Sequence, residues 1–359
     1  MSSGQRAVVT RCVEAAEVVN CHAFSPDESI LAVCPNNEEI HIFEAQTPGG
    51  ELRRAHILKQ HTQRVTALAW SCNGKLASVS EDRTASVWER AANSGGWNAV
   101  LVELKATRAA LCVAWAPEGT RFVVGFSSCD VAICSFKEQA QCWVATKVGK
   151  SKDAVAAVAW HPKLDILATG SVDGCCTVYQ MDQNIRESKV AEILAADAWV
   201  NAVAFSPSGR TLAFASQDSS VRFKDLGGSR EAPATVVRWS RLPFLQVVFS
   251  SERCLIAAGF DNIPVIFRLT ATSRWEAVGF VDASPRAGIT GSKSKVPRGS
   301  FEGAREHFRN MGSREQQMIQ AGASSWHSNT ITCLAVLSKA RFSTSAVDGQ
   351  VITWELELE

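Results

Sequence analysis

The chain has 359 residues, of which 46% are hydrophobic, 20% charged and 8% aromatic. This composition excludes a disordered or collagen-like chain and is sufficient to bury a large core. Lys and Arg number 37 and Asp and Glu 36, so a formal charge of +1 gives no reason to expect nucleic acid or an anionic membrane as the main partner. The sequence shows no signal peptide, and no apolar run approaches the roughly eighteen residues that a membrane-spanning helix needs.

A strand-and-turn sequence motif recurs along the chain and is clearest in its second copy. There two apolar runs, Val65–Trp70 and Leu76–Ser80, flank a turn, and Asp82 follows six positions before Trp88. Seven copies occur, at residues 21–43, 65–88, 111–136, 155–179, 200–224, 245–267 and 331–354. They recur every 43 to 48 residues, with one double step before the last copy, which is typical of propeller repeats of about 40 to 45 residues.

The copies align on one turn residue, which is Asn or Asp in each of them. The seven turn residues are Asn37, Asp82, Asp130, Asp173, Asp218, Asp261 and Asp348. The residue six positions later is aromatic in six copies, and only the fifth copy breaks this rule, with Lys224. Short runs of Val, Ala, Leu and Phe that alternate with Ser-Pro, His-Pro or Asp-Gly turns predict antiparallel sheet.

We therefore predict an all-β fold, a seven-bladed WD40-type β-propeller with a helical insertion before the last blade. A four-stranded sheet cannot bury both faces alone, whereas sheets arranged around an axis bury them against one another. Residues 18–359 are expected to form the propeller and residues 283–325 its basic insertion. Residues 1–17 form a leader that either is partly disordered or adds a strand to the last blade. Since no polar capping repeat ends the array, we expect the ring to close between residues 8–19 and the last copy.

Two copies carry a set of four polar and aromatic side chains at the same spacing. The sets are His61, Ser78, Asp82 and Trp88 in the second copy, and His327, Thr344, Asp348 and Trp354 in the last. A Ser, a His and an Asp could form a catalytic triad, and chain order alone does not exclude one. Because the set recurs at one register, we interpret both sets as structural tetrads that satisfy polar groups inside a blade.

The twelve cysteines give no sign of a cofactor. Most of them lie inside apolar, strand-like runs, and no CxxC pair occurs. This favours reduced core thiols over a disulfide framework or a metal site. Residues 288–294 look superficially like a phosphate loop, but Ser292 stands where such a loop needs Gly directly before Lys293, so no nucleotide site is predicted.

Several stretches are more specific than the generic repeat. The most specific is Cys34-Pro35-Asn36-Asn37 followed by residues 39–44. The others are residues 108–117, 160–162, 168–171 and 257–264. Together they resemble the WD-repeat first subunit of the actin-related protein 2/3 (Arp2/3) complex, from about residue 18 to the C-terminus. Two departures from the family pattern are the longer leader, residues 1–17, and a shorter connection at residues 181–198.

This resemblance implies a non-catalytic scaffold subunit of the cytoplasm and actin cytoskeleton that supports actin nucleation and branched-filament formation. The implied partners are the other subunits of the Arp2/3 complex, the actin filament and nucleation-promoting factors, with neither nucleic acid nor insertion into a membrane. Two alternatives stay open. Some propellers are enzymes that act at the central channel, although no carboxylate cluster or metal-ligand spacing supports that here. A propeller adaptor of another cytosolic or nuclear assembly, in RNA processing or ubiquitin ligation, would share the fold.

The insertion contains an amphipathic stretch at residues 301–311. Its predicted partner-binding residues are Phe301, Ala304, Arg305, Phe308, Arg309 and Met311. The four apolar ones are spaced three, four and three apart, which places them on one side of a helix that either packs on the propeller or docks into another protein. The stretch resembles the protruding helix of the family, which implies contact with actin or with nucleation-promoting factors.

Charge is concentrated in the same insertion. Residues 286–314 carry seven basic and two acidic side chains, a local charge of +5, and the rest of the chain carries −4. The near-neutral total is therefore a cancellation between a mildly acidic propeller and a basic insertion. We expect a salt-sensitive contact of residues 286–314 with an acidic protein surface.

Overall fold

The computed structural model describes residues 6–45, 50–91, 95–181, 188–229, 232–285 and 326–357. Across these ranges the chain forms 29 β-strands in seven sheets, six of four strands and one of five, without a helix. It follows that these ranges hold no helix that could span a membrane. The predicted seven-bladed WD40-type propeller is confirmed. Of the predicted insertion at residues 283–325, residues 283–285 belong to strand β26, and the predicted helix at residues 301–311 lies outside the described residues.

Each of the first six blades is a meander of four antiparallel strands. Blade 1 consists of β2 (Cys21–Phe24), β3 (Ile30–Cys34), β4 (Glu39–Ala45) and β5 (Leu52–Lys59). Blade 2 consists of β6 (Val65–Trp70), β7 (Leu76–Ser80), β8 (Thr84–Arg90) and β9 (Trp97–Glu103). Blade 3 consists of β10 (Ala110–Trp115), β11 (Arg121–Phe126), β12 (Asp130–Lys137) and β13 (Cys142–Lys150).

The next three blades repeat this arrangement. Blade 4 consists of β14 (Val155–Trp160), β15 (Ile166–Ser171), β16 (Cys175–Met181) and β17 (Ser188–Ala195), so the short connection at residues 181–198 supplies its outer strand. Blade 5 consists of β18 (Val200–Phe205), β19 (Thr211–Ser216), β20 (Ser220–Asp225) and β21 (Thr235–Arg238). Blade 6 consists of β22 (Phe244–Ser251), β23 (Cys254–Gly259), β24 (Val265–Leu269) and β25 (Trp275–Phe280).

The last blade closes the ring with the N-terminal strand. It contains β27 (Ile331–Val336), β28 (Arg341–Ala346) and β29 (Gln350–Leu356), then β1 (Arg6–Glu14), and β26 (Asp282–Pro285) at the edge. β1 runs antiparallel to β29, and β26 pairs with β1 in parallel. The ring therefore closes where we expected, and the described part of the leader adds a strand, β1, to the last blade. Pairing the two ends of the chain in one sheet removes two open edges, which is the physical reason for this arrangement.

Each blade buries both faces against its neighbours. The second strands, such as β3 and β7, are buried along their whole length, whereas the outer strand β9 has four consecutive exposed residues. One core cluster joins Val79 and Val87 of blade 2 to Phe122 and Phe126 of blade 3. Burial on both faces explains why these strands are continuous apolar runs in the sequence and do not alternate.

The turn between the second and third strands follows one pattern in most blades. Its Asp or Asn side chain accepts the backbone N–H two residues on, as Asp348 does from Gln350 at 3.1 Å. The same bond is made by Asn37, Asp82, Asp173 and Asp218. The residue after Asp348 is Gly349, with φ +82°, and an added Cβ would lie 1.9 Å from the Ala16 carbonyl oxygen. Only glycine therefore lets the connection between β1 and β2 pass this turn.

In the third blade the register differs from our alignment by two residues. The left-handed residue of the turn is Cys129, with φ 70°, so Ser128 and not Asp130 occupies the turn position. The pairing of β11 with β12 places Cys134, and not Phe136, at the position of the repeat aromatic. Asp130 and Phe136 share the six-residue spacing of the other copies, but spacing alone does not determine register. The aromatic position is therefore filled in five blades, by Phe43, Trp88, Tyr179, Phe267 and Trp354.

Candidate interaction surface

The predicted tetrad of the second copy is a continuous hydrogen-bonded chain inside blade 2. Trp88 Nε1 donates to Ser78 Oγ at 2.9 Å, and Ser78 Oγ lies 2.8 Å from His61 Nε2. His61 Nδ1 lies 3.0 Å from Asp82 Oδ2, which also accepts the backbone N–H of Thr62 at 3.0 Å. With Nδ1 protonated and Nε2 accepting from Ser78, each of these polar groups has a partner.

The last blade brings its four predicted residues together in the same way. Trp354 Nε1 donates to Thr344 Oγ1 at 2.8 Å, and Thr344 Oγ1 lies 2.7 Å from His327 Nε2. His327 Nδ1 lies 3.2 Å from Asp348 Oδ2. Thr344 thus links the indole to the imidazole, as Ser78 does in blade 2, because either hydroxyl can both donate and accept a hydrogen bond.

The protonation of the blade 2 tetrad follows from its burial. Burial lowers the pKa of His61, and the nearby Asp82 carboxylate opposes this without reversing it. Burial alone would raise the pKa of Asp82, but hydrogen bonds from Thr84 and Thr62 outweigh it and lower that pKa. The Ser78–His61–Asp82 hydrogen bonds follow the order of a catalytic triad. Ser78 is fully buried, however, so a substrate cannot reach its hydroxyl.

The first strands of all seven blades surround an axial channel of about 630 Å³. Its polar side chains connect neighbouring blades. Asn20 donates to the Val65 carbonyl at 3.1 Å, and Thr66 donates to the Ala110 carbonyl at 2.8 Å. Equivalent bonds run from Asn201 to the Phe244 carbonyl and from Thr332 to the Val19 carbonyl. These four side chains therefore stabilise the ring by linking one blade to the next.

A buried histidine that we did not predict joins the first blade to the last. His22 Nδ1 lies 2.9 Å from Ser345 Oγ, and its Nε2 lies 2.7 Å from Ser343 Oγ. Burial, with a smaller effect of His327, lowers the pKa of His22 to about 3. The imidazole is therefore neutral near pH 7, and one ring nitrogen donates while the other accepts. No short-range pattern marks His22, because its partners are more than 300 residues away along the chain.

Blade 5 replaces the tetrad with an arginine that we also missed. The buried Arg222 places Nη2 2.8 Å from Asp197 Oδ2 and 3.2 Å from Asp218 Oδ2. Its Nη1 donates to the Ala195 carbonyl at 2.8 Å. Asp218 keeps the turn role of Asp82, but a guanidinium takes the place of the imidazole as its side-chain partner.

Lys224 fills the aromatic position of blade 5. Its side chain is 3% exposed, and Nζ lies 2.7 Å from Glu192 Oε1 of blade 4 and 2.8 Å from the Ala232 carbonyl oxygen. Lys224, which the sequence correctly marked as an exception to the aromatic pattern, therefore forms an ion pair between blades 4 and 5. A buried ammonium needs such partners because desolvation penalises the charged form.

The twelve cysteines are free thiols. Burial raises the pKa of Cys112 and Cys333 to about 12. Cys333 Sγ lies 3.4 Å from the His22 carbonyl oxygen and Cys112 Sγ 3.6 Å from that of Val155, so both thiols take part in contacts between blades. Among the residues that the structure describes, no three His, Cys, Asp or Glu side chains are grouped as metal ligands.

The six predicted residues of the insertion cannot be placed. Phe301, Ala304, Arg305, Phe308, Arg309 and Met311 lie outside the described residues. The described chain ends at β26, beside β1, before the insertion and resumes at Trp326, before β27. The insertion therefore connects blades 6 and 7 at the closure of the ring.

The chain is similar to known repeat proteins. The family described as WD domain, G-beta repeat matches residues 52–89, 143–180 and 188–225. Each match spans the outer strand of one blade and the first three strands of the next, as with β5 through β8. This offset between sequence repeat and blade agrees with a ring in which β1 supplies the outer strand of the last blade.

Several curated proteins are similar along almost the whole chain. Actin-related protein 2/3 complex subunits 1A and 1B of Arabidopsis thaliana are 35% and 34% identical, each over 95% of this chain and 95% of the relative. Actin-related protein 2/3 complex subunit 1 of Schizosaccharomyces pombe is 26% identical over 93% of this chain and 96% of its own. With this coverage and a seven-bladed propeller, the chain belongs to the family of Arp2/3 complex subunit 1.

Proposed function

We propose that this chain is the WD-repeat subunit of an Arp2/3 complex and acts there as a scaffold in actin nucleation and branched-filament formation. The observation that carries the proposal is the 35% identity to Arp2/3 complex subunit 1A over 95% of both chains. That similarity extends over far more of the chain than residues 52–89, 143–180 and 188–225, which match the general WD-repeat family. The corresponding location is the cytoplasm, at the actin cytoskeleton.

The proposal also holds that the chain is not an enzyme. The only triad-like sets that we predicted are buried inside blades 2 and 7 and are saturated by internal hydrogen bonds. Four polar side chains of the axial channel are likewise bonded between blades, namely Asn20, Thr66, Asn201 and Thr332. Such an arrangement supports a rigid platform whose outer surface contacts other proteins.

Purification of the tagged full-length chain from its native cell tests the proposal. We expect actin-related proteins and the remaining Arp2/3 subunits to co-purify in fixed stoichiometry with it. A tagged unrelated propeller protein expressed at the same level is the control. Recovery of an RNA-processing or ubiquitin-ligase assembly, with no actin-related protein, would contradict the proposal.

We further propose that residues 301–311 contact actin or nucleation-promoting factors. The proposal rests on the apolar spacing of Phe301, Phe308 and Met311 and on the local charge of +5 at residues 286–314. The double variant Phe301→Ala/Phe308→Ala should enter the complex normally and reduce the density of branches formed with actin. Asn310→Ala, on the other side of the predicted helix, serves as the control. Normal branching by the double variant would contradict this part of the proposal.

A further inference from the structure

Two cysteines face each other across the first two strands of blade 1. Cys21 begins β2 and Cys34 ends β3, and the pairing of these strands places the two residues directly opposite one another. Both side chains belong to one core cluster, on the face of blade 1 that packs against blade 2. In the other strand pairs of the described ranges, no cysteine has a cysteine as its partner. We call Cys21 and Cys34 the thiol pair.

The strand pairing holds the thiol pair within reach of a disulfide bond. Opposite residues of antiparallel strands have Cα atoms about 4.5 or 5.5 Å apart. Both separations fall within the range of about 4.4 to 6.8 Å that a disulfide spans. The two thiols also interact directly. Burial raises the pKa of Cys34 well above its usual value, and a hydrogen bond with the Cys21 thiol adds to this effect.

The axial channel gives access to one member of the thiol pair. Cys21 lines the channel and is 7% exposed, whereas Cys34 is fully buried. The channel volume of about 630 Å³ is far more than the roughly 15 Å³ that one water molecule needs, so a small neutral oxidant such as hydrogen peroxide fits inside it. Cys21 is therefore the thiol that such an oxidant meets first, and Cys34 is placed to react with the oxidised Cys21.

The surroundings of the thiol pair make a disulfide there reversible. The Cβ atoms of opposite residues are about 4.5 to 5.5 Å apart, whereas a disulfide places them about 3.5 to 4.5 Å apart. Forming the bond must therefore draw β2 and β3 together. Neighbouring blades oppose this movement, because Asn20 is bonded to the Val65 carbonyl of blade 2 and His22 to Ser345 of blade 7. A strained disulfide is reduced more easily than a relaxed structural one.

We propose that the thiol pair is a site of reversible oxidation, at which hydrogen peroxide converts Cys21 and Cys34 to a disulfide and a small thiol such as glutathione restores them. Disulfides of cytosolic proteins are typically transient and redox-sensing, which agrees with a reversible bond at this place. The site differs from a structural disulfide, because all twelve cysteines are free thiols in this structure.

The oxidation proceeds in two steps. The Cys21 thiolate attacks one peroxide oxygen, the O–O bond breaks, and Cys21 becomes a sulfenic acid while the other oxygen leaves as water with the proton that Cys21 lost. The Cys34 sulfur then attacks the Cys21 sulfur, the S–O bond breaks, and a second water leaves with the proton of Cys34. Two thiols thus lose two electrons and two protons, and one hydrogen peroxide becomes two waters. Because the pKa of Cys34 is raised, its thiolate is scarce near pH 7 and the second step is the slower one.

The reverse reaction consumes two molecules of glutathione. The first glutathione thiolate attacks one sulfur of the disulfide and forms a mixed disulfide, which releases the other cysteine as a thiol. The second glutathione attacks the mixed disulfide, so that the remaining cysteine is released and glutathione disulfide forms. The two electrons that the thiol pair lost are thereby returned to it.

A third cysteine near the thiol pair provides a competing outcome. Cys333 packs against the same cluster from blade 7, with its Sγ 3.4 Å from the His22 carbonyl oxygen. Its partner in the strand pairing is Ser345, so the sheet does not place it opposite Cys21. A bond between Cys21 and Cys333 would join blades 1 and 7, whereas the proposed bond lies within blade 1.

Peptide mapping of the oxidised full-length chain tests the proposal. The reduced, folded protein is treated with hydrogen peroxide, its remaining thiols are alkylated in denaturant, and the chain is cleaved after glutamate. Cleavage after Glu17, Glu28 and Glu38 separates the two cysteines, so the proposed disulfide joins residues 18–28 to residues 29–38. We expect mass spectrometry to detect this linked pair of peptides after oxidation and to show its loss after treatment of the folded protein with reduced glutathione.

Cys112 is the matched control within the same protein. It lines the same channel, but Gly125 and not a cysteine lies opposite it, so it should enter no disulfide within the chain. The variant Cys34→Ser should lose the linked peptides, and Cys112→Ser should keep them. The mapping of the wild-type chain tests the proposal even where a variant fails to fold.

Four results would overturn the proposal. They are alkylation of both Cys21 and Cys34 after oxidation, a bond from Cys21 to Cys333, a Cys21–Cys34 bond that forms only in the denatured chain, and a bond in the folded protein that resists excess glutathione. The experiment uses this chain alone, so its outcome does not depend on the proposed function in an Arp2/3 complex.

Discussion

Blades 2 and 7 satisfy their buried polar groups with a histidine that bonds to a hydroxyl and a turn carboxylate, whereas blade 5 uses an arginine and a lysine. In blade 2, Trp88, Ser78, His61 and Asp82 form one internal chain of hydrogen bonds. In blade 5, Arg222 is held by two carboxylates, and Lys224 forms an ion pair with Glu192 of the neighbouring blade.

The difference shows which part of the repeat the backbone requires. The turn Asp is present in both arrangements, because Asp82 and Asp218 each accept the backbone N–H two residues on. The partner of its other oxygen is variable, since an imidazole or a guanidinium can donate to it. The tetrad stabilises one blade internally, while the charged set of blade 5 also links it to blade 4. Changes that remove single partners should therefore have different effects at the two places.

The largest effect is expected at the ion pair between blades 4 and 5. Lys224→Ala removes a nearly fully buried ammonium and leaves Glu192 without it, which should lower the free energy of unfolding by about 3 kcal/mol. Chemical denaturation followed by fluorescence measures this loss. Combining Lys224→Met with Glu192→Gln, which removes both charges and keeps the volume, should restore most of the stability. A loss below about 1 kcal/mol in Lys224→Ala would show that the pair is not a structural link.

Removing the turn carboxylate should cost more stability in blade 2 than in blade 5. Asp82→Ala removes the carboxylate that accepts from His61 Nδ1 and from the Thr62 N–H, leaves Thr84 Oγ1 at 3.1 Å as the only partner of Nδ1, and should cost about 2 kcal/mol. Asp218→Ala should cost about 1 kcal/mol, because Arg222 keeps Asp197 and the Ala195 carbonyl. Both values come from the same denaturation experiment. Equal losses would mean that the tetrad adds nothing beyond the turn itself.

Acidification should weaken the histidine-containing part of the ring first. The pKa of His22 falls from about 6.5 in the unfolded chain to about 3 in the folded protein, so its contribution is complete above pH 6.5 and declines as the pH falls toward 3. Between pH 7 and pH 5 this should cost about 2 kcal/mol, and the lowered pKa of His61 acts with the same sign.

Hydrogen exchange as a function of pH checks this expectation residue by residue. Amides of β2 and β28 should lose protection between pH 7 and pH 5 before those of β20, in which the turn Asp is bonded by Arg222 and not by a histidine. In His22→Asn the pH dependence in this range should be smaller than in the wild type. Uniform loss of protection around the ring would contradict the assignment to His22.

The smallest effect is expected from removing a single indole N–H. Trp88→Phe keeps an aromatic ring at the repeat position and removes the hydrogen bond from the indole N–H to Ser78 Oγ. The free energy of unfolding should fall by about 1 kcal/mol. Trp354→Phe should cost about the same, because Thr344 accepts the equivalent bond. Thermal unfolding of the two variants gives the comparison, and a clear inequality would show that the two tetrads are not energetically equivalent.

The sequence by itself was sufficient for the fold class, the number of blades and the members of both tetrads. These features depend on spacings within one repeat, such as the seventeen residues between His61 and Ser78, and a repeated local pattern is visible in the chain. The position of Lys224 as an exception was visible for the same reason. Family membership was also accessible, since residues 34–44 are more specific than the repeat.

Only the tertiary structure determined which distant residues meet. His22 bonds to Ser343 and Ser345 at the closure of the ring, and Lys224 meets Glu192 across a blade junction. The choice of Ser128 over Asp130 in the third turn depends on backbone dihedral angles and strand pairing, which spacing does not encode. Pairings between blades depend on how the ring closes, and no periodicity within a repeat carries that information.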